Sequence, residues 1–304
     1  MGRRTREDGI HERRFRRAVA RAALASLGVC VAFGPPSRAR AGDDPIQDNS
    51  FLLEEAYNQE PGVVQHIGAY TRSREGGAWS YAFTQEWPLG GQAHQLSFTL
   101  PVLRTGVAGS GIGDLALNYR YQLLGSGETA VAMAPRLSLV LPTGNVRGER
   151  GAGGLGLQVN LPVSVTLGNA WVAHVNLGST RVRLAEDSQG DETDVTAWNV
   201  GQSFVWLARP RLNVLAELTY TRAEVVTGPG ATERVETFFV SPGVRWAHDF
   251  QSGLQIVPGI AAPFGVGPSH GDRLVFLYLS FEHPFPRARP GAAPESNRGV
   301  SQYP

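Results

Sequence analysis

The chain has 304 residues and a formal net charge of +1, so no strong field of either sign argues for a nucleic-acid partner. Charged residues are 18% of it, against about 25% in an ordinary soluble domain, while Gly 37 and Pro 20 supply the punctuation of a turn-rich all-β protein. No run of eighteen apolar residues follows the first forty, which excludes a helical membrane span there.

Residues 1–41 read as an export signal. Arg13, Arg14, Arg16 and Arg17 form its charged region, Ala18 to Phe33 its apolar run, and Ala39-Arg40-Ala41 a small-x-small cleavage site. Arg13-Arg14 lacks the remainder of a twin-arginine pattern. Cys30, the only cysteine, lies inside the apolar run, and Val29 before it is too bulky for a good lipoprotein site. Cleavage after Ala41 leaves no thiol, which excludes disulfides and thiol chemistry and fits an oxidising envelope compartment. Residues 42–62 form an N-terminal periplasmic segment. Asp48 to Tyr57 can be written as a short helix capped by Asp48 or Ser50, with Phe51, Leu52, Ala56 and Tyr57 as its apolar residues. Such a helix could plug a lumen, and a flexible tether is the alternative.

From Val63 onward the chain alternates apolar and polar residues in segments of about ten, the pattern of strands whose faces meet different surroundings. Leu155, Leu157, Val159, Leu161, Val163, Val165 and Leu167 are separated by residues that include Gln158, Asn160, Ser164 and Thr166. Twelve such segments start near Val63, Trp79, His94, Asp114, Ala130, Leu155, Ala170, Val195, Arg211, Val235, Leu254 and Leu274. The expected fold is a transmembrane antiparallel β-barrel of about twelve strands over 63–285, in the outer membrane of a Gram-negative bacterium. Tight connections (Pro88 to Gly91, Gly125 to Gly127, Gly168-Asn169, Arg209-Pro210, Asp249 to Gly253) alternate with longer ones. The longer set is Thr105 to Gly113, Pro142 to Gly154, Ala185 to Asp194, Glu224 to Arg234 and Pro263 to Asp272; only Ser73 to Gly77 is short among the outer loops. Short periplasmic turns and longer outer loops are the barrel rule. Trp87, Tyr121, Trp171, Trp206, Trp246 and Phe285 fall near the periplasmic turns, as an interfacial aromatic belt requires. Residues 286–304 form a Pro-rich, disordered tail.

The polar face lines the lumen. Its candidates are Glu86, Asn118, Arg120, Arg136, Gln158, Asn160, His174, Asn176, Glu217, Arg245 and Gln255, with Leu215, Phe276 and Tyr278 forming an inward apolar patch. Such residues form either a solvated, internally paired wall or a constriction that orients a permeant. No catalytic residue, cofactor or metal ligand is expected. Some outer-membrane phospholipases are twelve-stranded barrels with a lipid-facing serine and a histidine base, but His174-Val175-Asn176 lacks the expected serine and Ser269-His270 lies in a loop. The acidic loop of Glu186, Asp187, Asp191, Glu192 and Asp194 could hold calcium loosely, but reads better as solvated or facing lipopolysaccharide through bridging cations. The expected surroundings are outer-membrane lipid and lipopolysaccharide.

The segment 49–67 (NSFLLEEAYNQEPGVVQHI), the run 111–124 (GIGDLALNYRYQLL) and 136–145 (RLSLVLPTGN) resemble a family of outer-membrane proteins associated with the meta-pathway of phenol degradation. The run Leu274 to Phe285 also resembles the C-terminal signal of outer-membrane barrels, which implies handling by the barrel assembly machinery, although His283 and the tail depart from it. The family resemblance implies a channel or transporter for small hydrophobic or aromatic permeants. A structural or adhesive barrel acting through its outer loops is the alternative, with a membrane-embedded lipid hydrolase behind it.

Overall fold

The computed structural model describes residue 46 and residues 48–105 and 109–284. The expected export signal, Cys30, Phe285 and the tail 286–304 lie outside the described residues. The described chain is nearly all strand: β1 (Val63–Ser73), β2 (Trp79–Pro88), β3 (His94–Thr105), β4 (Gly109–Ile112), β5 (Leu115–Tyr121), β6 (Val131–Met133), β7 (Arg136–Leu141), β8 (Leu155–Leu167), β9 (Trp171–Glu186), β10 (Glu192–Arg209), β11 (Leu212–Gly228), β12 (Ala231–Trp246), β13 (His248–Asp249), β14 (Gln255–Ala261), β15 (Phe264–Gly265) and β16 (Leu274–Pro284).

These segments make twelve antiparallel staves. β6 and β7 pair β8 in one register and form one stave. β12 with β13, and β14 with β15, likewise share a register. β4 continues into β5 alongside β3. Pro135 and Pro263 sit in two of the breaks, where a residue without an N–H cannot donate to the ladder. β16 pairs both β14 and β1, and β12 pairs both β11 and β14, so the sheet closes on itself. Closure leaves no unpaired edge, the condition for a sheet in hydrocarbon.

The two faces are inverted relative to a soluble barrel. Leu117, Leu137, Leu157, Leu177, Val214, Leu277 and Leu279 are exposed outside, while Asn118, Ser138, Asn160, Asn176, Asn213 and Ser280 are buried inside. Such an outer wall needs an apolar solvent. Aromatic rows bound it at two levels: Trp79 and Trp87 point outward eight residues apart on β2, as do Trp198 and Trp206 on β10. Eight residues of a tilted strand rise about 20 Å, close to the apolar band of a membrane barrel. The Trp171 and Trp206 rings stack with centroids 6.1 Å apart in the lower row.

The strand starts follow the sequence pattern within a few residues, but several of the expected outer loops are partly strand. β9, β10, β11 and β12 run for 16, 18, 17 and 16 residues, so Glu224 to Gly228 and Ala231 to Arg234 are strand. Eighteen extended residues span about 60 Å, roughly twice a hydrocarbon core. Polar residues there hide the strand signal, because both faces meet water beyond the membrane. Residues 109–112, 185–186 and 192–194 are also strand, whereas 142–154 holds only the short 3-10 turn Val146–Gly148.

Candidate functional site

Among the described residues before β1, the segment 48–59 lies inside the barrel. Asp48, Ser50, Phe51, Leu53, Glu55, Ala56, Tyr57, Asn58 and Gln59 are all buried. The helix expected over Asp48 to Tyr57 is absent; the segment is irregular, bending at Phe51 to Leu53 and again at Ala56. Its backbone shows why. Alternate N–H groups leave the segment for wall side chains: Leu52 to Glu217 Oε1 (3.0 Å), Glu54 to Asn176 Oδ1 (3.2 Å), Ala56 to Ser164 Oγ (2.8 Å) and Asn58 to Gln122 Oε1 (2.8 Å). The Gln59 N–H goes to Gln95 Oε1 at 2.7 Å. A helix this short is marginal alone, and the wall satisfies the same donors without it.

Two buried arginines grip the segment's ends. Arg245 donates through Nη1 to the carbonyls of Asp48 (2.6 Å) and Asn49 (2.7 Å), through Nη2 to Ile46 (3.4 Å), and through Nε to Asn213 Oδ1 (3.0 Å). Arg120 donates to Asn58 Oδ1 (2.8 Å) and to the carbonyls of Glu55 (3.2 Å) and Tyr57. Its guanidinium also lies 3.7 Å from Glu86 and 3.9 Å from Glu54. Arg136 completes the charge group, 2.8 Å from Glu54 and hydrogen-bonded to Asn118 and Gln158. At the far end Asp48 accepts from Tyr278, Ser280 and Gln65. Burial pushes the Asp48 carboxyl up, against the pull of Arg245. It pushes Glu55 well above the ordinary carboxylate range, with the neighbouring Asp48 charge adding to the shift.

Between the two grips the contact is apolar. The Phe51 ring packs against Phe276 and Tyr278 at centroid distances of 5.5 and 5.4 Å, in a cluster with Ile67, Val205, Leu215 and Ala261. A Cβ on Gly243 or Gly259 would sit 2.5 or 2.4 Å from that ring, so the wall is cut away to receive it.

The lumen candidates from Glu86 to Tyr278 point inward, and most touch the segment or each other. Asn160 bonds Glu54 Oε1 and Asn176 Oδ1, both at 3.1 Å, and Gln158 bonds Arg136 and Thr180. Gln255 stands apart at the rim, donating to Asp249 at 2.6 Å. The pattern reading missed Gln65, Gln95, Gln122, Ser203 and Asn213. All carry the same inward parity, and Ser203 Oγ meets Ser50 Oγ at 2.7 Å. It also missed a partner for His174: cross-strand Ser164 places Oγ 2.8 Å from His174 Nδ1. This pair faces the lumen beneath Ala56 and Tyr57, not the lipid.

The outer mouth is shaped by two sequence motifs that meet. Asp114, closing Gly111-Ile112-Gly113-Asp114, accepts the N–H groups of Gly144 (2.9 Å) and Ala152 (2.7 Å). Thr143, from Pro142-Thr143-Gly144-Asn145, accepts from Leu115 N and donates to the Gly113 carbonyl. Inward-facing Thr105 reaches the Gly148 carbonyl at 3.0 Å, which draws this loop over the lumen. In the acidic loop, Asp187 accepts the N–H groups of Gln189 and Asp191, and Asp194 pairs with Arg181 at 2.9 Å.

No family model matches the chain, and no curated protein sequence does. Solved structures do. An outer membrane channel from Pseudomonas putida F1, described as COG4313, is 16% identical, with a TM-score of 0.56 over 76% of this chain and 98% of that one. The NanC porin is 9% identical, with a TM-score of 0.47 over 72% and 98%. The β-domain of the Bordetella autotransporter BrkA is 14% identical, with a TM-score of 0.42 over 75% and 100%. At these identities the likeness to the Pseudomonas channel shows the fold, a closed twelve-stranded outer-membrane barrel.

Proposed function

We propose that this chain is an outer-membrane channel for small molecules whose lumen is closed by its own N-terminal segment. The observation that carries this reading is the way the segment is held. Its backbone binds wall side chains one at a time and joins no strand of the barrel. A segment seated this way can leave without breaking the sheet, and its departure uncovers a polar passage. The P. putida structure described as an outer membrane channel supports the same reading. The apolar patch of Leu215, Phe276 and Tyr278, filled here by Phe51, suits a permeant with an aromatic or other hydrophobic body. The reading includes no hydrolysis: the Ser164–His174 pair is buried in the lumen under Ala56 and Tyr57, away from lipid.

A disulfide lock tests it. The Ser50 and Ser203 hydroxyls are 2.7 Å apart, so Ser50→Cys with Ser203→Cys should form a bond across segment and wall. In liposomes the reduced variant should pass phenol faster than a sugar of similar size, and the oxidised variant should pass neither. A folded barrel with no flux in either state would instead mean a structural or adhesive protein acting through its outer loops.

A further inference from the structure

Outside the lumen, the outer rim carries an uneven distribution of charge. Strand registers put Arg104 of β3 opposite Trp79 of β2, and Trp79 opposite Arg72 of β1. The pairs one step nearer the membrane centre include Tyr70 opposite Tyr81. Arg72 and Arg104 share the outward face with these aromatics, and neighbouring strands lie about 4.8 Å apart, so the two cations are roughly 10 Å apart across Trp79. Just above, the Arg74 N–H bonds the Arg273 carbonyl at 3.0 Å, bringing two more arginines together. All four are exposed, and among the described residues none of their guanidinium groups is in an ion pair. Two acids stand beside these four arginines, half-buried Asp272 and exposed Glu75, whose carboxylate faces the Arg273 N–H at 3.4 Å.

The far side of the rim is different. There Arg181 pairs with Asp194, Arg222 lies opposite Glu236, and Glu224 lies opposite Arg234. Like charges placed together in excess of their counter-charges repel unless an anion joins them. The unbalanced patch sits directly on the aromatic row, where lipid head groups meet acyl chains, and exposed Leu277 and Leu279 continue below it.

We infer that the Arg72, Arg74, Arg104 and Arg273 face binds the phosphorylated head group of an outer-leaflet glycolipid, with the acyl chains lying over Tyr70, Tyr81 and Leu277. Guanidinium groups take phosphate oxygens two at a time, and Trp79 and Tyr70 can donate to the sugar. The site rests on outer-membrane residence and not on channel activity.

The test is native mass spectrometry of the purified full barrel with lipid A bearing both phosphates and with the same lipid dephosphorylated. The expected result is at least a tenfold preference for the phosphorylated lipid, weakened by salt, and lost in the triple variant Arg72→Gln, Arg104→Gln, Arg273→Gln. Arg181→Gln with Arg222→Gln should keep it. Equal binding of both lipids, retention by the triple variant, equal loss in the control, or full displacement by inorganic phosphate at lipid concentration would each overturn the inference. Conductance of the triple variant should match the parent, so failure here and failure of the channel reading are separable.

Discussion

Arg120→Gln should open the barrel. In the closed form this guanidinium donates to Asn58 Oδ1 and to the carbonyls of Glu55 and Tyr57, and it stands between Glu54 and Glu86. Glutamine is shorter, uncharged and has two donors, so the three charge-assisted bonds are lost as a set. At about 1.5 kcal/mol each they contribute about 4.5 kcal/mol to seating. That is about three decades in the ratio of seated to released segment. Two assays read it. In planar bilayers, open events should become far more frequent. In detergent, a glutamate-specific protease should cut at Glu54 and Glu55, which the parent hides. Adding Glu86→Gln should preserve the opening while removing the cost of a buried carboxylate without its cation. Unchanged conductance and unchanged protection in a variant that still folds, judged by its mobility on an unheated gel, would refute the claim that Arg120 holds the segment.

The apolar contact makes a second prediction: Phe51→Ala removes the ring packed on Phe276 and Tyr278 and should cost seating about 3 kcal/mol, read by the same protease. Gly243→Val should do the same from the wall side, because its Cβ occupies the place of the Phe51 ring. Acidity should favour closure. Burial raises Asp48 and Glu55 above their ordinary values of 3.8 and 4.5, so the seated segment holds protons that the released one gives up. Their stabilising contribution is complete below those ordinary values and is lost as pH rises through the raised ones. Open probability should therefore climb with pH from about 4.5 upward, and Glu55→Gln should flatten the profile; a parent profile falling with pH would contradict the sign.

The strands were legible because hydrocarbon imposes a strict rule on one face. Leu155 to Leu167 alternates without a slip since an outward Asn160 or Ser164 would be unpaired in lipid. Above the membrane the rule lapses, and the strand ends at Glu192 and Ala231 came earlier than Val195 and Val235 suggested. Inward direction follows from the same parity, and Arg120, Glu217 and Arg245 are buried on the lumen face. Their partners were not legible. Phe51-Leu52-Leu53-Glu54-Glu55-Ala56 reads as a helix because helix propensity is local, whereas acceptors such as Asn176 Oδ1 lie 122 residues away in sequence.

That distance also explains the composition of the wall. A strand can be satisfied by another strand, but an irregular segment presents donors and acceptors at uneven spacing and height. Only side chains can follow it. Asparagine, glutamine and serine offer both donor and acceptor on short flexible stems, and they stand where the segment passes: Gln122 takes the Asn58 N–H and also donates to the Ala56 carbonyl. Arginine is placed where carbonyls cluster, since its fork reaches several at once, as Arg245 does with Ile46, Asp48 and Asn49. The same groups can return to water when the segment leaves, whereas a wall of leucines would hold Phe51 but leave the segment's backbone without partners. A polar wall is therefore what the proposed seated and releasable segment requires, and the packing of Phe51 over two glycines fixes its position through apolar contact alone.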